Sequence, residues 1–195
     1  MKPAIFLDRD GTVIEHVHHL TRPEEVRLIP GAADAIRQLQ ALGFACVIVT
    51  NQSVIARGML SVEGLKRVHD EMNRQLAAQG VRLDGLYYCP AAPAGVDGIT
   101  ADHADRKPSP GMLLRAAREL SLDLCRSWMI GDTQSDVLAG RNAGCLASVL
   151  IRTGQGVGLT AADTGADYLA DDLPAAARLI AERLKASSQP KEFTR

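Results

Sequence analysis

The nine residues Ala4–Thr12 read AIFLDRDGT, and they constrain the fold more than any other stretch of the chain. Four apolar residues followed abruptly by charged ones are typical of a central parallel strand where it leaves its sheet. Asp8 and Asp10 are two residues apart, so the period of a strand directs both carboxyl groups to one small volume beyond the strand. Because ligands of open α/β sheets bind at that edge, we expect a functional site there.

Two carboxylates this close repel each other unless a cation or a shared proton lies between them. Mg²⁺ suits such a position, since it takes oxygen ligands and keeps waters that a phosphate can replace. A solvated acidic turn at a strand end is the plain alternative, and this stretch alone does not decide between the two.

The rest of the sequence predicts an α/β fold, in which strands and helices alternate along the chain. Apolar runs predict strands at 44–49, 81–88, 128–131, 147–151 and 167–169, and periodic apolar residues predict helices at 32–41, 61–79, 113–120, 137–143 and 173–185. This alternation is typical of a mostly parallel sheet covered by helices on both faces. We expect one domain over residues 1–186, followed by a flexible tail at 187–195.

Composition excludes several classes of function. The net charge is −1, with 22 basic and 23 acidic residues, so the chain has no broad basic field for nucleic acid or a membrane surface. It has no apolar run long enough for a membrane span and no secretory signal at its start. Its four cysteines are scattered and form no CxxC pair, which indicates reduced thiols and a cytoplasmic protein. We also expect a monomer.

Polar or charged residues follow several of the predicted strands, where they meet at one edge of the sheet. Thr50 ends the second strand, and its hydroxyl with the backbone amides of Asn51, Gln52 and Ser53 suits the oxygens of a phosphoryl group. Thr50 or Ser53 could instead cap the next helix, and the two roles can coexist. Arg57 lies just beyond them, where an anion contact is favoured.

Later residues extend this set at the same edge. Lys107 stands in Arg106-Lys107-Pro108-Ser109-Pro110, where two prolines fix the backbone beside a helix start that favours anions. Asp132 ends the fourth strand and Asp136 follows one helical turn later. Acid, hydroxyl, lysine and acid therefore follow one another along the chain at the edge where Asp8 lies.

A histidine-rich segment follows the first acidic pair. His16, His18 and His19 lie in the polar stretch from Val13 to Pro30. Their spacing does not bring the three rings together on a helix or hairpin, so we interpret the segment as a solvated loop at the mouth of the site rather than a metal centre. Contact with a substrate is the function that this position favours.

The ordered set Asp-x-Asp-Gly-Thr, Thr50, Lys107 and Asp132 resembles the haloacid dehalogenase (HAD) superfamily of phosphohydrolases over roughly residues 4 to 180. The resemblance implies a three-layer Rossmann-like fold and an aspartyl-phosphate intermediate on Asp8, with Asp10 as acid and base. It also implies Mg²⁺ held by Asp8, Asp10 and Asp132, with Asp136 behind them. Thr50 and Lys107 would then stabilise the phosphoryl oxygens.

Within this superfamily the chain is more similar to the histidinol-phosphate and heptose bisphosphate phosphatases. Asn51-Gln52-Ser53-Val54-Ile55-Ala56-Arg57-Gly58 and Arg106-Lys107-Pro108 carry the likeness, and the first of these favours the heptose enzymes. The likeness implies a small phosphorylated sugar as substrate, bound by Asn51, Gln52, Ser53, Arg57, Arg106 and Lys107. No insertion is long enough for a separate cap domain, and histidinol phosphate or another sugar phosphate stays open as the substrate.

One part of the chain departs from these relatives. They hold a structural zinc with Cys-x-His and Cys-x-Cys, where this chain has Cys89-Pro90-Ala91 and His103-Ala104-Asp105. Cys89, His103 and Asp105 could still supply three ligands, but we predict that the protein has no zinc.

Two other functions were weighed against hydrolysis. A receiver domain also combines a parallel sheet with an early acidic pair, a Thr and a Lys-Pro, but it needs a phosphorylatable Asp where this chain has Thr50-Asn51. A phosphotransferase or mutase of the same superfamily stays open from sequence alone.

Overall fold

A computed structural model describes residues 1–93, 95 and 103–188, and it contains a single sheet in which every pairing is parallel. The strand order is β3-β2-β1-β4-β5-β6. The strands are β1 Ala4–Leu7, β2 Ala45–Asn51, β3 Gly85–Cys89, β4 Trp128–Gly131, β5 Ala147–Ile151 and β6 Tyr168–Ala170.

The helices complete a three-layer α/β fold. They are α1 Ala32–Ala41, α2 Val62–Ala78, α3 Gly111–Leu120, α4 Gln134–Ala143, α5 Ala161–Thr164 and α6 Leu173–Ser188. Short 3-10 turns lie at Pro23–Glu25, Leu124–Arg126 and Gly154–Gly156.

The central strands are buried on both faces, which explains why they read as continuous apolar runs. Along β1, Ile5 and Leu7 pack into the core that α1, α2 and α6 cover, whereas Ala4 and Phe6 pack into the core of α3 and α4. Alternate residues of one strand therefore serve two separate cores, one on each side of the sheet.

Strand register brings the predicted site residues together. Leu7 of β1 pairs with Ile48 of β2 on one side and with Ile130 of β4 on the other. Because these three strands are adjacent and parallel, Asp8, Thr50 and Asp132 leave the sheet at the same edge. The carboxyl edge of the sheet is thus the place where the functional side chains meet.

The sequence predicted the fold class and most elements, and several boundaries differ for local reasons. β3 begins at Gly85 rather than at residue 81, since the Asp84 carboxylate accepts the Cys46 backbone N–H at 2.9 Å before the strand joins the sheet. α4 begins at Gln134 rather than at residue 137, because Thr133 and Asp136 form a capping box there. Helix α5 was not predicted.

The last helix ends later than the sequence predicted. α6 continues to Ser188 rather than to residue 185, and the single domain over residues 1–186 stays a prediction. The remainder of the predicted tail, 189–195, lies outside the described residues. Within the described part of the chain, none of the helices combines the length and the hydropathy that a membrane span requires.

Candidate active site

A cavity of about 610 Å³ opens at the carboxyl edge of the sheet. Most of the predicted site residues line it, together with residues that sequence analysis did not single out. The lining comprises Asp8, Arg9, Asp10, residues 16–20, residues 50–54, Arg106, Lys107, residues 133–136 and Gln155. Arg57 and Asp132 are absent from this lining, although Asp132 lies just beneath it, buried beside Asp8 and Asp136.

Asp8, Asp132 and Asp136 form a buried group that we call the acidic cluster. One carboxylate oxygen of each lies within 4.8 Å of the others. Asp132 Oδ2 accepts the Gln155 backbone N–H at 2.7 Å, but its Oδ1 is buried with no hydrogen-bond partner in the described structure. A buried oxygen without a partner is costly, so the cluster fits a bound cation.

The electrostatics of the acidic cluster point in the same direction. Burial raises the pKa of Asp8 to about 7; Lys107 opposes this rise, and Asp136 and Asp10 add to it. Burial likewise raises the pKa of Asp132 to about 8, with further contributions from Asp8 and Asp136. Without a cation the site therefore disfavours the charged forms of Asp8 and Asp132, and a divalent ion would offset that cost.

Lys107 lies within this cluster. Its Nζ is 2.5 Å from Asp8 Oδ1 and 2.6 Å from Asp136 Oδ1, and it donates to the Val49 carbonyl oxygen at 2.8 Å. Burial lowers the pKa of Lys107, but Asp136 and Asp8 outweigh burial and raise it. One permanent ammonium therefore faces two of the three carboxylates.

Asp136 also begins helix α4. Its Oδ2 accepts hydrogen bonds from the Thr133 backbone N–H at 3.0 Å and from Thr133 Oγ1 at 2.6 Å. Its Oδ1 faces Lys107. The carboxylate expected behind the metal ligands is therefore part of the acidic cluster itself.

Two turns close directly onto Asp132. Gly11 has φ +77° and Gly154 has φ +50°, and a Cβ on either would lie 2.2 Å from Asp132 Oδ2. The turns touch each other as well, because Thr153 Oγ1 donates to the Gly11 carbonyl oxygen. Glycine at both positions lets the chain approach the carboxylate more closely than any other residue would.

Asp10 lies outside the acidic cluster, and its carboxylate is paired with the buried Arg9. Arg9 Nη2 donates to Asp10 Oδ1 at 3.0 Å and to Oδ2 at 2.8 Å. Gln52 Nε2 donates to Asp10 Oδ2 at 3.0 Å and to Thr50 Oγ1 at 2.9 Å. The structure thus brings Asp10, Thr50 and Gln52 together at one side of the pocket.

Asn51 lines the cavity, and its side-chain amide holds the Lys107 backbone. Its Nδ2 donates to the Lys107 carbonyl oxygen and its Oδ1 accepts the Lys107 N–H, each at 3.0 Å. This two-point contact ties the end of β2 to the segment before α3. Sequence analysis assigned Asn51 to the substrate, an assignment that stays a prediction, and it missed this bracing contact.

The other predicted substrate contacts lie around the rim. Ser53 and Arg106 line the cavity, and Arg106 Nη1 donates to the Ala91 carbonyl oxygen at 2.7 Å. Arg57 is exposed. Burial lowers the pKa of His19 most, and the nearby charges of His18 and Arg57 lower it further.

Residues 16–20, which we call the histidine turn, form one wall of the cavity. The rings of His18 and His19 lie 3.9 Å apart, centroid to centroid, and His19 has φ +54°. His16 and His18 are exposed, so the predicted position at the mouth of the site is confirmed while any contact with a substrate stays a prediction.

Two of the three residues that could have held zinc have other partners. The Asp105 carboxylate binds Arg115 Nη1 at 2.6 Å, and His103 Nδ1 accepts the Asp105 backbone N–H at 3.0 Å. The Arg115 guanidinium also lies over the Tyr87 ring, 5.3 Å from its centroid. Among the described residues, Cys89, His103 and Asp105 form no metal-holding group, and the absence of zinc stays a prediction.

Comparison with known proteins gives consistent relatives. A HAD-hydrolase-like family profile matches residues 104–176. The D-glycero-beta-D-manno-heptose-1,7-bisphosphate 7-phosphatase of Yersinia pestis is 46% identical over 179 residues, which is 87% of this chain and 92% of that protein. The corresponding enzyme of Thermosynechococcus vestitus is 40% identical over 192 residues, 94% of this chain and 97% of that one.

Solved structures agree with these relatives. A D,D-heptose 1,7-bisphosphate phosphatase from B. bronchiseptica, complexed with magnesium and phosphate, superposes with a TM-score of 0.81 at 36% identity, covering 93% of this chain and 99% of that one. The enzyme from Burkholderia thailandensis gives a TM-score of 0.66 at 28% identity, covering 96% of this chain and 100% of that one. This chain is a phosphatase, and it belongs to the D-glycero-D-manno-heptose-1,7-bisphosphate 7-phosphatase family of HAD-like enzymes.

Proposed function

We propose that this phosphatase removes the 7-phosphate of D-glycero-D-manno-heptose 1,7-bisphosphate through an aspartyl-phosphate on Asp8. One observation carries the mechanism: the Asp8 carboxylate lines the cavity while it belongs to the same buried group as Asp132, Asp136 and Lys107. The names of relatives at 40–46% identity support the substrate.

The acidic cluster fits Mg²⁺ by its donor set, since oxygen ligands suit this ion and Asp132 Oδ1 is buried without a partner. The carboxylates of Asp8 and Asp132 and the backbone carbonyl of Asp10 would hold it, with Asp136 behind them. When bound, Mg²⁺ supplies positive charge that offsets the carboxylates and the phosphoryl oxygens. The magnesium in the B. bronchiseptica structure supports this choice of ion.

The remaining chemistry belongs to side chains of this chain. An oxygen of Asp8 attacks phosphorus in line with the departing alcohol, and the ester bond breaks as the Asp8–phosphorus bond forms. Asp10 gives a proton to the departing alcohol and later takes one from the water that hydrolyses the aspartyl-phosphate. Free enzyme and inorganic phosphate result.

Thr50 and Lys107 orient the phosphoryl group. The Lys107 ammonium already contacts Asp8 Oδ1, so it lies beside the carboxylate that attacks. The Thr50 hydroxyl lines the same cavity. Donors fixed before the reaction stabilise developing charge without reorganising, which is the main contribution expected in phosphoryl transfer.

The cavity is large enough for a bisphosphate, since small-molecule sites fall in the range of roughly 300–1,000 Å³. Arg106 at the rim and Arg57 near the histidine turn would face the phosphate that is not transferred. Asn51, Gln52 and Ser53 complete the proposed substrate contacts through side chain or backbone.

The test is phosphate release from a panel of phosphomonoesters with added Mg²⁺. We expect the heptose bisphosphate to give the highest kcat/KM, its 1-phosphate to remain on the product, and activity to vanish with a chelator and return with Mg²⁺. A higher kcat/KM for histidinol phosphate, or release of the 1-phosphate first, would overturn the proposed substrate.

We further propose a cytoplasmic monomer that binds neither nucleic acid nor a membrane surface. Near-neutral net charge supports this, and so does the state of the cysteines, since Cys46, Cys89, Cys125 and Cys145, all in the described part of the chain, form no disulfide. Light scattering during size-exclusion chromatography tests the monomer.

A further inference from the structure

Arg9 is one of the largest fully buried side chains of the protein, although it carries a charge. Only 1% of its side chain is exposed, against 20% for Asp10. Its Nε and Nη2 both donate to the Asp10 carboxylate, and Nη2 also donates to Gln52 Oε1 at 2.9 Å. A buried guanidinium with such a partner fixes the position of that partner, because neither can move without exposing an unpaired charge.

Gln52 links this pair to the pocket. Its Oε1 accepts from Arg9, while the two hydrogens of Nε2 go to Asp10 Oδ2 and to Thr50 Oγ1. The side-chain amide therefore uses both donors, and turning it over would place its oxygen against the Asp10 carboxylate and its NH2 group against Arg9 Nη2. The backbone N–H of Gln52 is bonded to the Cys89 carbonyl oxygen at 2.7 Å, which holds the residue in place.

These contacts distinguish the two oxygens of Asp10. Oδ2 accepts from Arg9 Nε at 3.2 Å, from Arg9 Nη2 at 2.8 Å and from Gln52 Nε2 at 3.0 Å, whereas among the residues that the structure describes Oδ1 accepts only from Arg9 Nη2 at 3.0 Å. Oδ2 is thus saturated, and Oδ1 keeps a lone pair that can carry a proton.

We propose that Arg9 and Gln52 are positioning residues that hold Asp10 so that its Oδ1 exchanges the proton with the substrate alcohol and with water. This inference rests on the proposed function and deepens it. As the phosphorus–oxygen bond of the substrate breaks and the Asp8–phosphorus bond forms, the proton on Asp10 Oδ1 moves to the departing oxygen.

Gln52 orients a second group by the same contact. Because Thr50 Oγ1 accepts the amide hydrogen of Gln52, the hydroxyl's own hydrogen is directed elsewhere and is free to bind a phosphoryl oxygen in the cavity. One side chain therefore sets the direction of both Asp10 and Thr50.

The test compares two classes of substrate in the Gln52→Ala variant. An alkyl phosphate, such as a sugar phosphate, needs a proton on its leaving oxygen, whereas the nitrophenolate of p-nitrophenyl phosphate departs without one. Since kcat/KM covers the steps up to leaving-group departure, we expect it to fall by about 30-fold for the alkyl phosphate and by about threefold or less for the aryl phosphate. Equal losses, or no loss, would overturn the positioning role.

Two further variants exclude a purely structural effect. Gln52→Glu keeps the size of the side chain but places a carboxylate against Asp10 Oδ2. Its kcat/KM for the alkyl phosphate should therefore fall at least as far as that of Gln52→Ala, with the same small effect on the aryl phosphate. In an Asp10→Asn background, Gln52→Ala should lower alkyl-phosphate kcat/KM by no more than about threefold, because the larger part of its effect acts through Asp10 and only the part through Thr50 remains. A full additional loss in that background would contradict the proposal.

A matched control comes from the same pocket. Gln134 also lines the cavity, but its Nε2 donates to the Asp163 carbonyl oxygen rather than to Asp10 or Thr50. Gln134→Ala should therefore leave the ratio of kcat/KM for the two substrates unchanged. Wild-type protein that released phosphate from p-nitrophenyl phosphate but from no sugar phosphate would overturn the proposed substrate. Where the wild type hydrolyses a sugar phosphate, equal losses on both substrates in Gln52→Ala would overturn the positioning role alone.

Discussion

The acidic cluster and the histidine turn line the same cavity but are held in different ways. The carboxylates of the cluster are buried, and backbone N–H groups, Thr133 and Lys107 bind them. The imidazoles of the histidine turn form no hydrogen bond with any part of the chain that the structure describes, and His16 and His18 are exposed.

This difference separates two requirements of an enzyme. Bond-making needs groups held to a fraction of an ångström, which burial and multiple partners supply. Substrate shape is read by side chains on loops, which can differ between related enzymes without disturbing the reaction. The predictions below test whether the division holds in this protein.

The largest expected effect is at the base of the cavity. Asp8→Asn should lower kcat on the order of 10⁴-fold or more, because the amide cannot form the aspartyl-phosphate. The fold should remain, since Asn keeps an oxygen for Lys107 and removes one of three crowded charges. Phosphate release and thermal unfolding measure the two effects, and a variant with a tenth of wild-type activity would refute the mechanism.

A second prediction concerns how the free energy of unfolding depends on pH through His69, a buried residue near Arg9 and Asp10. Burial and, next, Arg9 lower the pKa of His69 to about 3, from 6.5 in an unfolded chain. Above pH 6.5 the imidazole is neutral in both states, but as the pH falls towards 3 only the unfolded chain takes up the proton. His69 should therefore lower the free energy of unfolding by about 2 kcal/mol as the pH falls from 7.5 to 5.

His69→Phe should remove that pH dependence. The substitution keeps the ring packed near Tyr88, and it deletes Nε2, which is buried without a partner in the described structure. Urea unfolding at both pH values, for wild type and variant, measures the difference. Equal losses on acidification in the two proteins would show that His69 is not buried in neutral form.

A smaller effect is expected at Arg57, which lies near the histidine turn. Arg57→Ala should raise KM for a sugar bisphosphate by about tenfold and change kcat by less than threefold, since a charged contact to the untransferred phosphate contributes to binding rather than to the reaction. The control is Arg67→Ala, which removes an exposed arginine of α2 and should leave KM unchanged. A loss confined to kcat would place Arg57 with the catalytic groups and contradict the assignment of this region to substrate binding.

The smallest expected effect is that of zinc. Because Asp105 is bound to Arg115 and His103 Nδ1 accepts a backbone N–H, protein stripped of metal and given Mg²⁺ alone should recover full activity. Zinc should not raise the midpoint of thermal unfolding. Stoichiometric zinc in protein purified without added metal would contradict this.

Many residues of the candidate site could be predicted from the sequence, because charge at the end of a buried strand is a local signal. Asp8 and Asp132 each end an apolar run, so their place at one sheet edge follows from strand order alone. Fold class was predictable for the same reason, since the apolar runs and periodic stretches alternate along the chain.

The bracing contacts could not be predicted, because they depend on which partners the fold brings together. Arg9 lies between two aspartates and looks solvated in sequence, yet it is buried against Gln52, 43 residues away. Asn51 reads as a cap or ligand, and its contacts with Lys107 span 56 residues. Such long-range polar pairs leave no periodic or compositional signal.

One carboxyl group has two tasks that cannot be separated. Asp136 Oδ2 starts helix α4 through Thr133, and its other oxygen faces the lysine and the remaining acids. Any replacement must satisfy a helix terminus and a charge cluster at once. Changes at this position in the centre of the site therefore require the beginning of a helix to be rebuilt as well.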